Sequence, residues 1–323
     1  MFRHRSSYTD LRRPGALIAS LALAGALALA PFMSQIPAHA GIPSDDPAVL
    51  QRLEQNENLE YLGAPVSSQI PSQAAGDVVD GRHVSYQLFK GRPDSDTPAT
   101  FVVTDIETGE KLDTCAVEGA EHARNLNIAD DGRVYWGTYY DSKLWRYDPA
   151  VGECEDLGRI DPTDDRNLHA FGLAPGPDGS MFLGVYPGSR LYVTDPATGK
   201  AELLQEEVDP GAEYIHGIAY HAETDTVFVT TGGVVPKLWS ISDGGRGEKT
   251  LLVDETNAPG INAAGQYISR LDIAGGRIIG QIGFRILVVQ FDGTVDHWDP
   301  DQTNFYGGHH AITGADPGTV LFS

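Results

Sequence analysis

Histidine, arginine and tyrosine gather in five short stretches of this chain: Glu118–Ala129, Asp164–Ala174, Gly211–Tyr220, Gly265–Ala274 and Tyr306–Gly314. Together they hold His122, Arg124, Arg166, His169, Tyr214, His216, Tyr267, Arg270, His309 and His310. Five of the ten histidines fall here, and two of the others, His4 and His39, precede residue 41. Such a set suits proton transfer beside an anion. An imidazole titrates near neutral pH, and a guanidinium grips a carboxylate through two parallel hydrogen bonds. His169, His216 and His310 are therefore candidate acid/base residues, the last two at equivalent places in their stretches. Arg124, Arg270, Tyr214 and Tyr267 are candidate substrate-binding residues. The plainer alternative for each is a wall-filling side chain bonded to neighbouring backbone.

The stretches occupy one recurring place in an internal repeat. An alternating apolar strand, an Asp and a turn ending in Gly recur as FVVTDIETG (Phe101–Gly109), LWRYDPAVG (Leu144–Gly152) and LYVTDPATG (Leu191–Gly199). Weaker copies run over Leu238–Gly245 and Leu287–Gly293. The aligned residues Asp105, Asp148, Asp195, Asp243 and Asp292 are spaced by 43, 47, 48 and 49. Gly takes positive φ and Asp bonds its own backbone in such turns. Between them lie short runs rich in Val, Tyr, Phe, Trp and Ile, the strand formers. Each period thus holds about four antiparallel strands, and sheets of this size cover their faces by stacking radially. The predicted fold is an all-β propeller of four-stranded antiparallel blades, with about five blades or an incomplete larger ring. Full units are expected from about His122 to Pro300. The ends either join in one shared blade or belong to a truncated ring. The His-rich stretches then lead into the innermost strands, at one mouth of the channel.

The blade style resembles secreted bacterial propellers with DG-x-VY-x-GTY…LYRYDPATG units, carried here by DDGRVYWGTY (Asp130–Tyr139) and the strand-turn motifs above. It is similar in general style to SMP-30 lactonases and YVTN repeats. It also resembles propeller enzymes that remove rhamnose from glucuronate in plant polysaccharides by lysis or hydrolysis. That resemblance implies an extracellular, carbohydrate-active protein acting on or binding uronate-containing glycans. The alternative is a non-catalytic extracellular propeller that binds a protein or glycan. The metal-binding Glu expected near the first strand of a lactonase is not found.

The remaining sequence bounds these readings. Arg3, Arg5, Arg12 and Arg13, an apolar run from Ala16 to Ala30 and Ala38-His39-Ala40 read as a signal peptide over residues 1–40. The run falls short of the roughly 20 residues needed to span a bilayer. Residues 41–76 read as a linker with a short helix, and 77–323 as the propeller domain. The formal charge is -22, and residues 1–40 carry a net +3. So acidic a surface argues against nucleic acid as a partner. A glycan or small-molecule ligand is expected, with no membrane span after processing. Cys115 and Cys154 are either one disulfide or two buried thiols on neighbouring blades. No catalytic serine elbow, P-loop or haem motif identifies a cofactor. Asp161–Asp165 and Asp94–Asp96 are acidic turns whose oxygens suit Ca²⁺, without EF-hand spacing.

Overall fold

A computed structural model describes residues 71–91, 98–139, 141–164, 166, 168–265, 267–303, 311–313 and 320–322. It contains five four-stranded antiparallel sheets, each a meander of consecutive strands. Blade 1 is β1 (Pro71–Val79), β2 (Arg82–Phe89), β3 (Ala99–Asp105) and β4 (Lys111–Val117). Blade 2 is β5 (Ala123–Ile128), β6 (Val134–Thr138), β7 (Lys143–Asp148) and β8 (Glu153–Arg159). Blade 3 is β9 (His169–Pro175), β10 (Met181–Tyr186), β11 (Leu191–Thr194) and β12 (Ala201–Gln205). Blade 4 is β13 (Tyr214–His221), β14 (Thr226–Gly232), β15 (Lys237–Ile241) and β16 (Lys249–Val253). Blade 5 is β17 (Ser269–Ala274), β18 (Arg277–Ile282), β19 (Arg285–Gln290) and β20 (Val295–Trp298). A further pair, β21 (Ala311–Thr313) and β22 (Val320–Phe322), follows.

The first strands of successive blades lie side by side: β1 on β5, β5 on β9, β9 on β13 and β13 on β17. They are the innermost strands of a propeller. The core lies between blades. Val84, Tyr86 and Phe101 of blade 1 pack against Trp136 and Tyr147 of blade 2, with the Phe101 and Trp136 rings stacked at 4.6 Å. Three further clusters fill the gaps between blades 2 and 3, 3 and 4, and 4 and 5. Every residue of β6 is buried, and β10 and β14 are nearly so, because each has a blade on both sides. In β3 burial alternates strictly, as one covered face dictates.

Close approach demands small residues. A Cβ on Gly137 of β6 would stand 2.4 Å from the Ala170 Cβ of the next blade, and one on Gly184 of β10 would stand 2.4 Å from Ile215 Cγ2. Cys115 on β4 and Cys154 on β8 are joined, so the disulfide reading holds and ties blade 1 to blade 2. Blade 1 is complete in itself. Its first strand takes in Pro71–Gly76, part of the stretch read above as linker, so no strand is borrowed from the C-terminal end to finish it. The signal peptide and the helix-bearing part of the linker lie outside the described residues. No helix of the described residues is long and apolar enough to cross a membrane.

Candidate functional site

A cavity of about 860 Å³ opens where the five innermost strands meet. Its wall includes Gln73, Arg124, Phe171, His216, Tyr267, Arg270 and Asp272, one or more from each blade.

One backbone device aims these side chains. Each of β5, β9, β13 and β17 carries a bulge at its mouth end. Arg124 is the extra residue between the pairs Ala123–Thr138 and Asn125–Gly137. Phe171 is the extra residue between Ala170–Val185 and Gly172–Gly184. His216 and Gly217 together oppose Thr230, and Arg270 and Leu271 together oppose Gly280. A bulge breaks the in–out alternation and turns a side chain out of the ladder. Arg270 holds φ 48°, in the left-handed region that non-glycine residues seldom enter. The His216 bulge is pinned by Thr230, whose Oγ1 accepts from the Gly217 amide at 2.7 Å. The same hydroxyl donates to the Ile268 carbonyl at 2.7 Å.

Around the mouth runs a belt of rings. Tyr139 lies between His122 (4.8 Å) and His169 (4.2 Å). His169 faces Tyr186 at 6.0 Å, and Phe171 stacks on Tyr214 at 5.2 Å. His216 stacks on Tyr267 at 4.3 Å, with Tyr214 5.8 Å from Tyr267. The Arg124 guanidinium stands over both Tyr139 (5.3 Å) and Phe171 (5.1 Å), within cation–π range. It is exposed and makes no hydrogen bond or ion pair among the described residues.

Burial sets the proton affinities. It holds His169 and His122 below the usual 6.5, with help at His169 from the Arg124 charge, so both are neutral imidazoles at pH 7. Burial raises the Tyr214 hydroxyl. Burial also raises the Asp272 carboxyl above 3.8, opposed by Arg270, and lowers Arg270, opposed by Asp272.

Of the sequence candidates, Arg124, His216, Tyr267 and Arg270 share the cavity wall, and His169 and Tyr214 belong to the ring belt beside it. His310 lies outside the described residues, as does His309. Arg166 is engaged elsewhere, paired with Asp164 at 2.5 Å. Asp164 also takes Arg190, and Asp161 accepts from Thr163 and Tyr192. Asp161 and Asp164 are thus committed to protein donors, and Asp165, the third carboxylate of that turn, lies outside the described residues. The Asp94–Asp96 turn lies outside the described residues. Among the described residues no group of three His, Cys, Asp or Glu is placed to hold a metal. Sequence reasoning missed Tyr139, Phe171, Tyr186 and Asp272. Tyr139 directly follows β6 and Tyr186 ends β10, in the motifs YWGTY and FLGVY, and that shared place in the motif is the signal that marks them.

The repeating blades and their common channel define a β-propeller, and solved propellers superpose on it. Virginiamycin B lyase from Staphylococcus aureus aligns with a TM-score of 0.57 at 17% identity, over 78% of this chain and 77% of that one. A catalytically inactive histidine-to-alanine variant of that lyase, with quinupristin, aligns with a TM-score of 0.58 at 17% identity over 80% and 79%. The extracellular domain of a putative one-component system from B. thetaiotaomicron gives 0.53 at 14% identity, over 78% of this chain and 31% of that one. No protein-family description and no curated protein sequence matches the chain. At these identities the likeness establishes the fold.

Proposed function

We propose that this chain is an exported propeller that takes uronate-containing glycans into its channel mouth and cleaves them by β-elimination. The observation that carries the reading is Arg124. Its guanidinium is exposed at the cavity, braced on two aromatic faces and without a protein anion among the described residues. So placed, it is a preorganised receptor for a carboxylate. Ring edges nearby suit a sugar.

The chemistry follows from charge. A uronate carboxylate bound by Arg124 loses most of its negative field, which lowers the cost of forming a carbanion at the adjacent carbon. His216, steadied by its stack on Tyr267, removes that carbon's proton. The C–H electrons form a double bond to the next carbon, whose bond to the glycosidic oxygen breaks. Signal-like residues 1–40 would deliver the protein to where such polymers occur.

The test is purified protein on uronic-acid polysaccharides, followed by the ultraviolet absorbance of unsaturated products. The expected result is absorbance that grows with the wild type and is lost in His216→Ala and Arg124→Ala. Reducing ends without new absorbance would replace elimination by hydrolysis. Saturable binding without either product would leave a glycan-binding module, the alternative reading.

A further inference from the structure

The bulges hide an asymmetry that simple alignment of the repeats conceals. On β5, β9, β13 and β17, the first residue past the two that share one partner at the bulge pairs with the residue just before a small one on the second strand. The four pairs are Leu126 with Trp136, Leu173 with Leu183, Ile218 with Val229 and Asp272 with Ile279. Three blades put an aliphatic side chain there, buried to 8% exposure or less. In blade 5 that register holds the half-buried carboxyl of Asp272, while Leu271 beside it, 7% exposed, packs on Gly217 as Ile218 packs on Gly172. Leu173 and Ile218 line the channel, and so does Asp272.

A carboxyl in an aliphatic wall costs stability unless it is paired or hydrogen-bonded. Asp272 makes no hydrogen bond among the described residues, and its charge neighbour is Arg270 on the same strand. Other carboxylates among the described residues are better satisfied, although Asp141 also keeps one oxygen without a partner. Asp209 accepts from Lys237 and Thr231, and Asp105 accepts from the amides of Glu107 and Thr108. Such local breaks of rule concentrate at functional sites. The position is also apt. Leu271, between Arg270 and Asp272, lies against Gly217, where a Cβ would stand 3.0 Å from Leu271 Cγ. His216 is the next residue, so an imidazole and a carboxyl sit on adjacent strands of one cavity.

We infer that Asp272 is the proton donor to the departing glycosidic oxygen, which deepens the elimination proposed above and rests on it. The balance is complete. His216 takes the proton from carbon, the C–H pair becomes the new double bond, and the C–O pair leaves with oxygen. Asp272 then supplies that oxygen with a proton. Imidazolium and carboxylate return to their starting forms by exchange with water, so no oxidant or reductant enters. Burial in the channel wall keeps the carboxyl protonated to higher pH than an exposed one.

The test compares two substrates. One is a uronate glycan, and the other is a uronate carrying a nitrophenyl ether at the departing position, a leaving group that needs no acid. For Asp272→Asn the expected result is a fall of about 10²–10⁴-fold in kcat on the glycan. KM should change little, and the loss on the aryl ether should be less than about tenfold. Asp272→Glu should recover part of the glycan activity. Equal loss on both substrates, or none on the glycan, overturns the assignment of Asp272 while leaving the elimination reading standing. Wild-type protein that turns over neither substrate overturns both. The isosteric Asn variant should fold, and its circular dichroism and melting curve check that.

Discussion

Thr230→Val tests the device that aims the site. The Thr230 side chain is fully buried on β14, and valine keeps its shape. What valine removes is one hydroxyl with two short bonds, from the Gly217 amide and to the Ile268 carbonyl, each 2.7 Å. Gly217 and Ile268 are themselves buried, so water does not replace the lost partner. Each orphaned backbone group costs about 1–3 kcal/mol, giving about 2–6 kcal/mol in all. For a domain of this size each kcal/mol moves Tm by about 2–4 °C, so the midpoint should fall by about 5–20 °C. The His216 bulge should also loosen, and glycan affinity should drop beyond what the residual unfolded fraction explains. Urea titration and a binding isotherm at a temperature where both proteins are folded measure the two effects. A stability loss under about 0.5 kcal/mol with unchanged affinity would refute the idea that this hydroxyl holds the bulge.

Gly184→Ala should destabilise by about 1–3 kcal/mol, because the new Cβ meets Ile215 at 2.4 Å. Gly76→Ala, with nothing nearer than 3.5 Å, should change stability by less than about 0.5 kcal/mol in the same denaturation assay. Replacing both Cys115 and Cys154 by Ser should cost about 4 kcal/mol in unfolding free energy, since the bridge closes a loop of 39 residues' separation. Asp272→Asn should melt higher than wild type, by a margin that grows with pH. The carboxyl ionises more readily unfolded than folded, so wild-type stability falls as pH rises from about 3.8 through the raised folded value, then levels off. Arg270, Arg124 and His216 share that cavity, and a Tm series from pH 4 to 8 on both proteins reads the difference.

Much of the fold was legible because a turn is a local event. Asp105, Asp148 and Asp195 each cap their own turn amides, so their recurrence reports the blade period directly. The innermost strands were legible for the same reason, and with them Arg124, His216, Tyr267 and Arg270. β1 was not. Its sequence PSQAAGDVV holds two β-branched residues, both at its end, and it is a strand because β2 pairs with it along its length. Asp272 was hidden for a different reason. In sequence SRLDIA aligns with ARNLNIA, which sets Asp272 beside Asn127, a residue that donates to the Leu173 carbonyl. The bulge in β17 slips the register by one, and only the ladder reveals that Asp272 pairs with Ile279, at the register of Leu126, Leu173 and Ile218. Tyr139 directly follows β6 and Tyr186 ends β10, far in sequence from the histidines they stack on, so only tertiary contact joins them.

The claim on which the rest depends is that Arg124 receives a carboxylate at the channel mouth. Calorimetric titration of the protein with a uronic-acid oligosaccharide and with its carboxyl-reduced, neutral counterpart tests it directly. The account predicts saturable binding of the acidic sugar that weakens with salt, at least tenfold weaker binding of the neutral one, and loss of that preference in Arg124→Met. Equal affinity for the two sugars, or a preference that survives in Arg124→Met, would contradict it.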